Sequence, residues 1–155
     1  MRATAHLIAG TAKAPPFARA VLTHDARHLR RKVIGLENGE EVLVDLPQTV
    51  TLAQGDRLAL EDGRTIAIVA AEEPVYEVTG RGAEHLARLA WHLGNRHLPA
   101  QIEKTRILIQ PDHVIRDMLI GLGASVRETN SPFAPERGAY HAHGAEAHAL
   151  LNRHG

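Results

Sequence analysis

Histidine is the residue type that offers this chain a chemistry, with eleven copies at positions 6, 24, 28, 85, 92, 97, 113, 141, 143, 148 and 154. Imidazole ligates nickel, copper and zinc. No cysteine is present, which excludes disulfides, thiolate metal sites and cysteine nucleophiles together, so a bound metal must use imidazole, carboxylate or backbone oxygen. The serines are Ser125 and Ser131, and the segment around Ser131 reads as a Pro-rich loop, not the strained turn of a hydrolase nucleophile. A three-ligand motif with a nearby acid or base is not recognisable either. The pattern is that of a binding protein with no catalytic residue, not of an enzyme.

His141-Ala142-His143 is the tightest pair. In an extended chain its two-residue spacing puts both rings on one side, able to close on one ion, and His148 and His154 can fold back to it. These histidines are interleaved with Ala, Gly and Glu146, unlike the contiguous run of a purification tag. His97 stands in the string Trp91-His92-Leu93-Gly94-Asn95-Arg96-His97-Leu98-Pro99, just past a helix expected to end at Gly94. On spacing alone that is a turn residue, an ordinary surface histidine or a ligand. His113 follows a helix-capping Asp112; the positive helix end disfavours imidazolium there, which leaves a ring nitrogen available to a metal or simply to water. His85 and His92, two helical turns or about 10 Å apart, are too distant to share an ion and read as solvated surface. Arg27, His28, Arg30, Arg31 and Lys32 form a dense basic run just before the first hairpin, suited to an acidic protein surface or to protecting a strand edge.

The elements that must position these residues are legible in outline. The chain has 155 residues, 44% of them hydrophobic, enough for one ordinary domain or two small ones. Eighteen Lys and Arg balance eighteen Asp and Glu, which speaks against nucleic acid as a partner. No apolar run approaches the ~18 residues of a membrane span and the beginning lacks a signal-peptide layout, so the expectation is a cytoplasmic protein with no membrane partner. Residues 1–73 read as an all-β domain. Val33–Leu36 and Val42–Leu46 flank Asn38-Gly39, and the tetrapeptide Leu36-Glu37-Asn38-Gly39 returns as Leu60-Glu61-Asp62-Gly63 before a second hairpin. After Glu72-Glu73-Pro74 the pattern alternates strand, helix, strand, strand, helix, strand, the ferredoxin-like arrangement, over residues 74–130. Its helices carry the apolar stripes Leu86, Leu89, Ala90, Leu93 and Ile115, Met118, Leu119, Leu122. Residues 131–155 read as a flexible His-containing tail. The predicted class is α+β.

The string from Trp91 to Pro99 followed by Gln101-Ile102, then Asp112-His113-Val114 leading into Met118-Leu119 and Gly123, resembles the UreE family of urease accessory proteins. The match spans residues 75–143 in order and spacing, and hairpin lengths and the basic segment extend it to the first domain. The resemblance implies a homodimeric nickel metallochaperone for urease maturation, with a protein- or peptide-binding β domain and a ferredoxin-like metal-binding and dimerisation domain. It implies that His97 from each of two subunits meets at the two-fold and holds one Ni(II), with the tail histidines His141 and His143 completing the sphere; His148, able to fold back to that pair, is a further candidate donor from the tail's own spacing. Some members pair the position of His113 with a histidine two residues earlier, where this chain has Pro111. The implied partners are a second copy of the chain, the urease accessory GTPase and the urease assembly complex.

Imidazoles do not fix the ion, since Cu(II) and Zn(II) compete for such sites. A general copper or zinc buffer is therefore one alternative, and a ferredoxin-like regulatory or RNA-binding module with incidental histidines another. The latter lacks the aromatic stacking residues that RNA modules place on the sheet.

Overall fold

A computed structural model describes residues 1–136 of the chain, which fall into two compact units: 1–75 with 128–134, and 76–127 with 135–136.

The first unit is built on a six-stranded sheet. Its strands are β1 (Arg2–Leu7), β2 (Ala18–Leu22), β3 (His28–Gly35), β4 (Glu41–Thr51), β5 (Arg57–Leu60) and β6 (Thr65–Ala70), in the order β2-β6-β5-β1-β4-β3. Apolar residues alternate along β4, β5 and β6, so Val42, Val44, Leu46, Leu58, Leu60, Ile66 and Ile68 turn to one face and bury together with Ala3, Ala20 and Leu52. Both expected hairpins form, and with the same turn. Gly39 and Gly63 adopt φ of 88° and 90°. Each donates its N–H to the leucine three residues back, and Asn38 and Asp62 each accept from the backbone two residues on. The repeated tetrapeptide thus encodes one geometry twice, with glycine at the position where a side chain would be strained.

The unit departs from an all-β reading at α1 (His24–Arg27), a single turn capped by the Thr23 hydroxyl, which accepts from the Ala26 N–H. The basic run does not precede the first hairpin but is part of it. Arg27 closes α1 and is buried, whereas Arg30, Arg31 and Lys32 lie inside β3, which begins at His28 and not at Val33. Paired on one side only, β3 tolerates polar residues and so lacks the apolar alternation that marks the inner strands.

In the second unit the elements run β7 (Glu72–Thr79, which begins in the first unit), α2 (Ala83–Asn95), β8 (Ala100–Ile102), β9 (Ile107–Ile109), α3 (His113–Gly121) and β10 (Ser125–Pro132, which ends in the first unit). The sheet order is β10-β7-β9-β8, with β9 antiparallel to both neighbours. Tyr76, Val78, Ile107 and Ile109 pack with Leu86, Leu89 and Leu93 of α2 and with Ile115 and Leu119 of α3. These are the two predicted helical stripes, with Ala90, Met118 and Leu122 only partly buried at their margins. The alternate residue of β7, Glu77, accepts hydrogen bonds from Arg106 at 2.7 Å and Arg127 at 3.0 Å.

Residues 131–133, expected in the tail, have defined positions. Asn130–Pro132 continue β10, and Phe133 is fully buried in the first unit, where an aromatic ring gains more from burial than from solvent.

Candidate metal centre

α2 follows its cap residue Gly82 and ends in a way that fixes His97. The helix runs through Gly94 to Asn95, one residue beyond the expected stop. The His97 N–H donates to the Gly94 carbonyl at 3.0 Å, and the Leu98 N–H reaches back to the Leu93 carbonyl at 3.3 Å. This pair of bonds is a Schellman motif, whose αL position is usually glycine. Here it is His97, with φ of 58°, the one non-glycine residue at positive φ among those described. Gly94 stays within the helix, and its carbonyl is an acceptor in that closure. Leu98 then packs against the core that holds Leu93, which anchors the turn, while His97 itself is exposed.

On α2 itself stands Trp91, 64% exposed and in edge contact with the His92 ring, the centroids 5.1 Å apart. A tryptophan left this far in water is unusual on a small domain and marks a surface suited to a partner.

α3 presents His113 as its first residue. The Asp112 carboxylate caps the helix, accepting from the Val114 and Ile115 N–H groups at 2.9 and 3.2 Å, and leaves the His113 side chain exposed on the first turn. No group of three or more His, Asp or Glu side chains among the described residues is arranged to hold a metal ion. His97 and His113 are therefore not gathered into one chelating cluster with a third ligand within the described part of one chain. His141, His143, His148 and His154 lie outside the described residues.

His85 is not solvated surface. Its Nδ1 accepts from the Arg81 N–H at 2.9 Å and its Nε2 faces the Leu122 carbonyl at 2.8 Å, so the ring is a neutral Nε2–H tautomer joining the start of α2 to the end of α3. With both nitrogens engaged it has no lone pair left for a metal.

A backbone contact missed from sequence bears on the site: the Glu136 N–H donates to the Ala100 carbonyl at 2.8 Å. Ala100 opens β8 only three residues after His97. The segment that carries the remaining histidines thus leaves the described structure from the strand that follows the His97 turn. No periodicity signals such a contact.

Comparison with known proteins gives the family and its two-domain architecture. The family model described as UreE urease accessory protein, N-terminal domain, matches residues 2–71, and that of the C-terminal domain matches residues 73–155. A urease accessory protein UreE of Rhizobium rhizogenes is 58% identical over 147 residues, covering 95% of this chain and 88% of the relative. Its counterpart in Agrobacterium fabrum is 53% identical over 148 residues, covering 96% and 92%, and that of Rhizobium meliloti 53% over 154 residues, covering 99% and 98%.

Proposed function

The chain belongs to the UreE family of urease accessory proteins, and on that premise we propose that it is a metallochaperone that takes up Ni(II) and delivers it for assembly of the urease active site. Membership itself carries a role in urease maturation; the ion, the ligands and the partners are our reading.

The observation that carries it is the placing of His97. A histidine is kept in a left-handed conformation that glycine would adopt at no steric cost, and its ring is exposed. One imidazole cannot hold a divalent ion against water. We assign the remaining ligands to a second copy of the chain, whose His97 meets the first across a two-fold axis, and to His141 and His143. Glu136 is tied to Ala100, and His141 follows it by five residues, a span of at most about 18 Å, so the contour length suffices for return to His97. His113 and His148 are secondary donors. Such a site is open and exchangeable, as carriage requires and as a closed structural site is not.

The second unit is on this reading the ferredoxin-like metal-binding and dimerisation domain, its sheet order being β10-β7-β9-β8. The first unit is the protein-docking half, and the His-containing residues beyond Glu136 are the metal-gathering tail. Cargo passes in the cytoplasm to the urease accessory GTPase and the urease assembly complex, with no catalytic step by this chain. Cu(II) and Zn(II) compete for the same imidazoles in vitro.

The test is complementation at limiting nickel. Urease activity should fall in cells carrying His97→Ala and return when nickel is supplied in excess. A loss that added nickel does not repair, or no loss, would remove the delivery role and leave a general metal buffer.

A further inference from the structure

The metal chemistry leaves the basic run unused, and its position in the first unit gives it another role. Among the described residues β3 is the terminal strand of the six-stranded sheet, paired with β4 alone. Over Arg30–Val33 four successive residues are exposed, so both faces of the strand and its free edge meet solvent there. Across the ladder the acid in register with Arg31 is Asp45. That carboxylate is taken by Arg2 at 2.8 Å, while Arg31 approaches it only to 3.9 Å. Arg30 acts on it as well, and all three guanidinium groups hold its proton affinity down, the Arg2 hydrogen bond foremost. The cations of β3 thus share an acid already engaged elsewhere, and the strand carries surplus positive charge.

Shielding an edge from aggregation takes little, such as one lysine or a proline. Here three consecutive cations charge both faces of the strand, and Val33, β-branched and 53% exposed, is left beside them. We propose that the free edge of β3 docks an extended acidic segment of a partner protein, which joins the sheet as an added strand. Backbone N–H and C=O groups of the edge supply the pairing; carboxylates of the segment meet Arg30, Arg31 and Lys32, and an apolar side chain covers Val33. The assignment rests on reading the first unit as the protein-docking half and is independent of the metal.

The test uses the full chain and a blocked synthetic peptide of repeating Glu-Glu-Val, which carries carboxylates on both faces of an extended strand, followed by amide hydrogen exchange. Protection should appear at Arg30–Val33. A peptide with proline at every Val position, equal in charge but unable to pair, should not protect. The double variant Arg30→Glu with Lys32→Glu should bind the peptide roughly tenfold more weakly and take up nickel in unchanged ratio. Equal binding of the proline peptide, or tighter binding of an oligonucleotide of matched charge, would overturn the proposal. Protection elsewhere in the first unit would remove β3 while keeping that unit's docking role. No protection at millimolar peptide would count against both.

Discussion

His97 and Gly123 occupy the same position in two copies of one helix ending. After α2, His97 and Leu98 donate to Gly94 and Leu93; after α3, Gly123 and Ala124 donate to Ile120 and Leu119. Both central residues lie at positive φ, 58° for His97 and 88° for Gly123. Backbone preference puts glycine there, and one helix obeys it. The molecule thus contains its own control for the histidine. His97→Gly should make the metal-free protein more stable by roughly 0.5–1 kcal/mol while removing most nickel affinity. Urea denaturation and calorimetric titration of the same preparation measure the two. A stability loss in the metal-free variant would mean that the ring is held for packing.

The reverse change should hurt. A Cβ at Gly123 would come within 3.1 Å of the Arg81 guanidinium, whose flexible side chain can yield, but the φ of 88° cannot. Gly123→Ala should therefore cost about 1 kcal/mol, seen as a lower urea midpoint. Retention of the parent midpoint would show that the backbone at the end of α3 relaxes.

The elements around this site were legible because their signals are local. Leucines at helical spacing, an aspartate cap and two Asn-Gly or Asp-Gly turns each declare themselves within a few residues, and α2, α3 and both hairpins formed accordingly. What sequence could not show depends on distant partners. The β2–β6 and β1–β4 pairings are parallel and join strands far apart in the chain. His85 looked free because its acceptor, the Leu122 carbonyl, lies 37 residues away. His97 was visible as a turn histidine, but its left-handed backbone follows from a helix that runs past Gly94, which composition alone argues against.

Tail histidines and His97 should contribute unequally to metal binding. Truncation after Tyr140 removes His141, His143, His148 and His154 and should lower nickel affinity in part, whereas His97→Ala should remove most of it. The parent should bind one tightly held ion per two chains. Calorimetry with native mass spectrometry reads both. A stoichiometry of one ion per chain, unchanged at low protein concentration, would place the site within a single subunit.

Acid should weaken the second unit through Glu77. The Arg106 hydrogen bond first, then the Arg127 and Arg106 charges, hold this carboxyl below the usual carboxylate range. A depressed folded value means that the stabilisation is complete above the unfolded value, about 4.3, and is lost as pH falls through the folded one. Urea midpoints followed by Trp91 fluorescence should fall below about pH 4 in the parent. Glu77→Gln should start lower at pH 7 and lose less on acidification. Parallel curves for the two proteins would assign the acid sensitivity to other carboxylates.

Arg27 should be the costliest basic residue to replace, although the sequence groups it with the exposed run. It is 2% exposed, and its guanidinium donates to the carbonyls of Thr23, Leu52 and Phe133. Burial lowers its proton affinity, and the nearby Glu73 charge works the other way. Arg27→Leu would keep the site apolar, though not full, and leave three acceptors without that donor, at a cost of roughly 2–3 kcal/mol. Arg27→Lys should recover only part, because an ammonium lacks the planar fork that reaches separate carbonyls. Arg30→Ala, on the exposed β3, should change stability by less than about 0.5 kcal/mol. Denaturation midpoints of the three variants give the order directly, and equal midpoints for Arg27→Leu and Arg30→Ala would show that the three carbonyls find water or other donors when the guanidinium is gone.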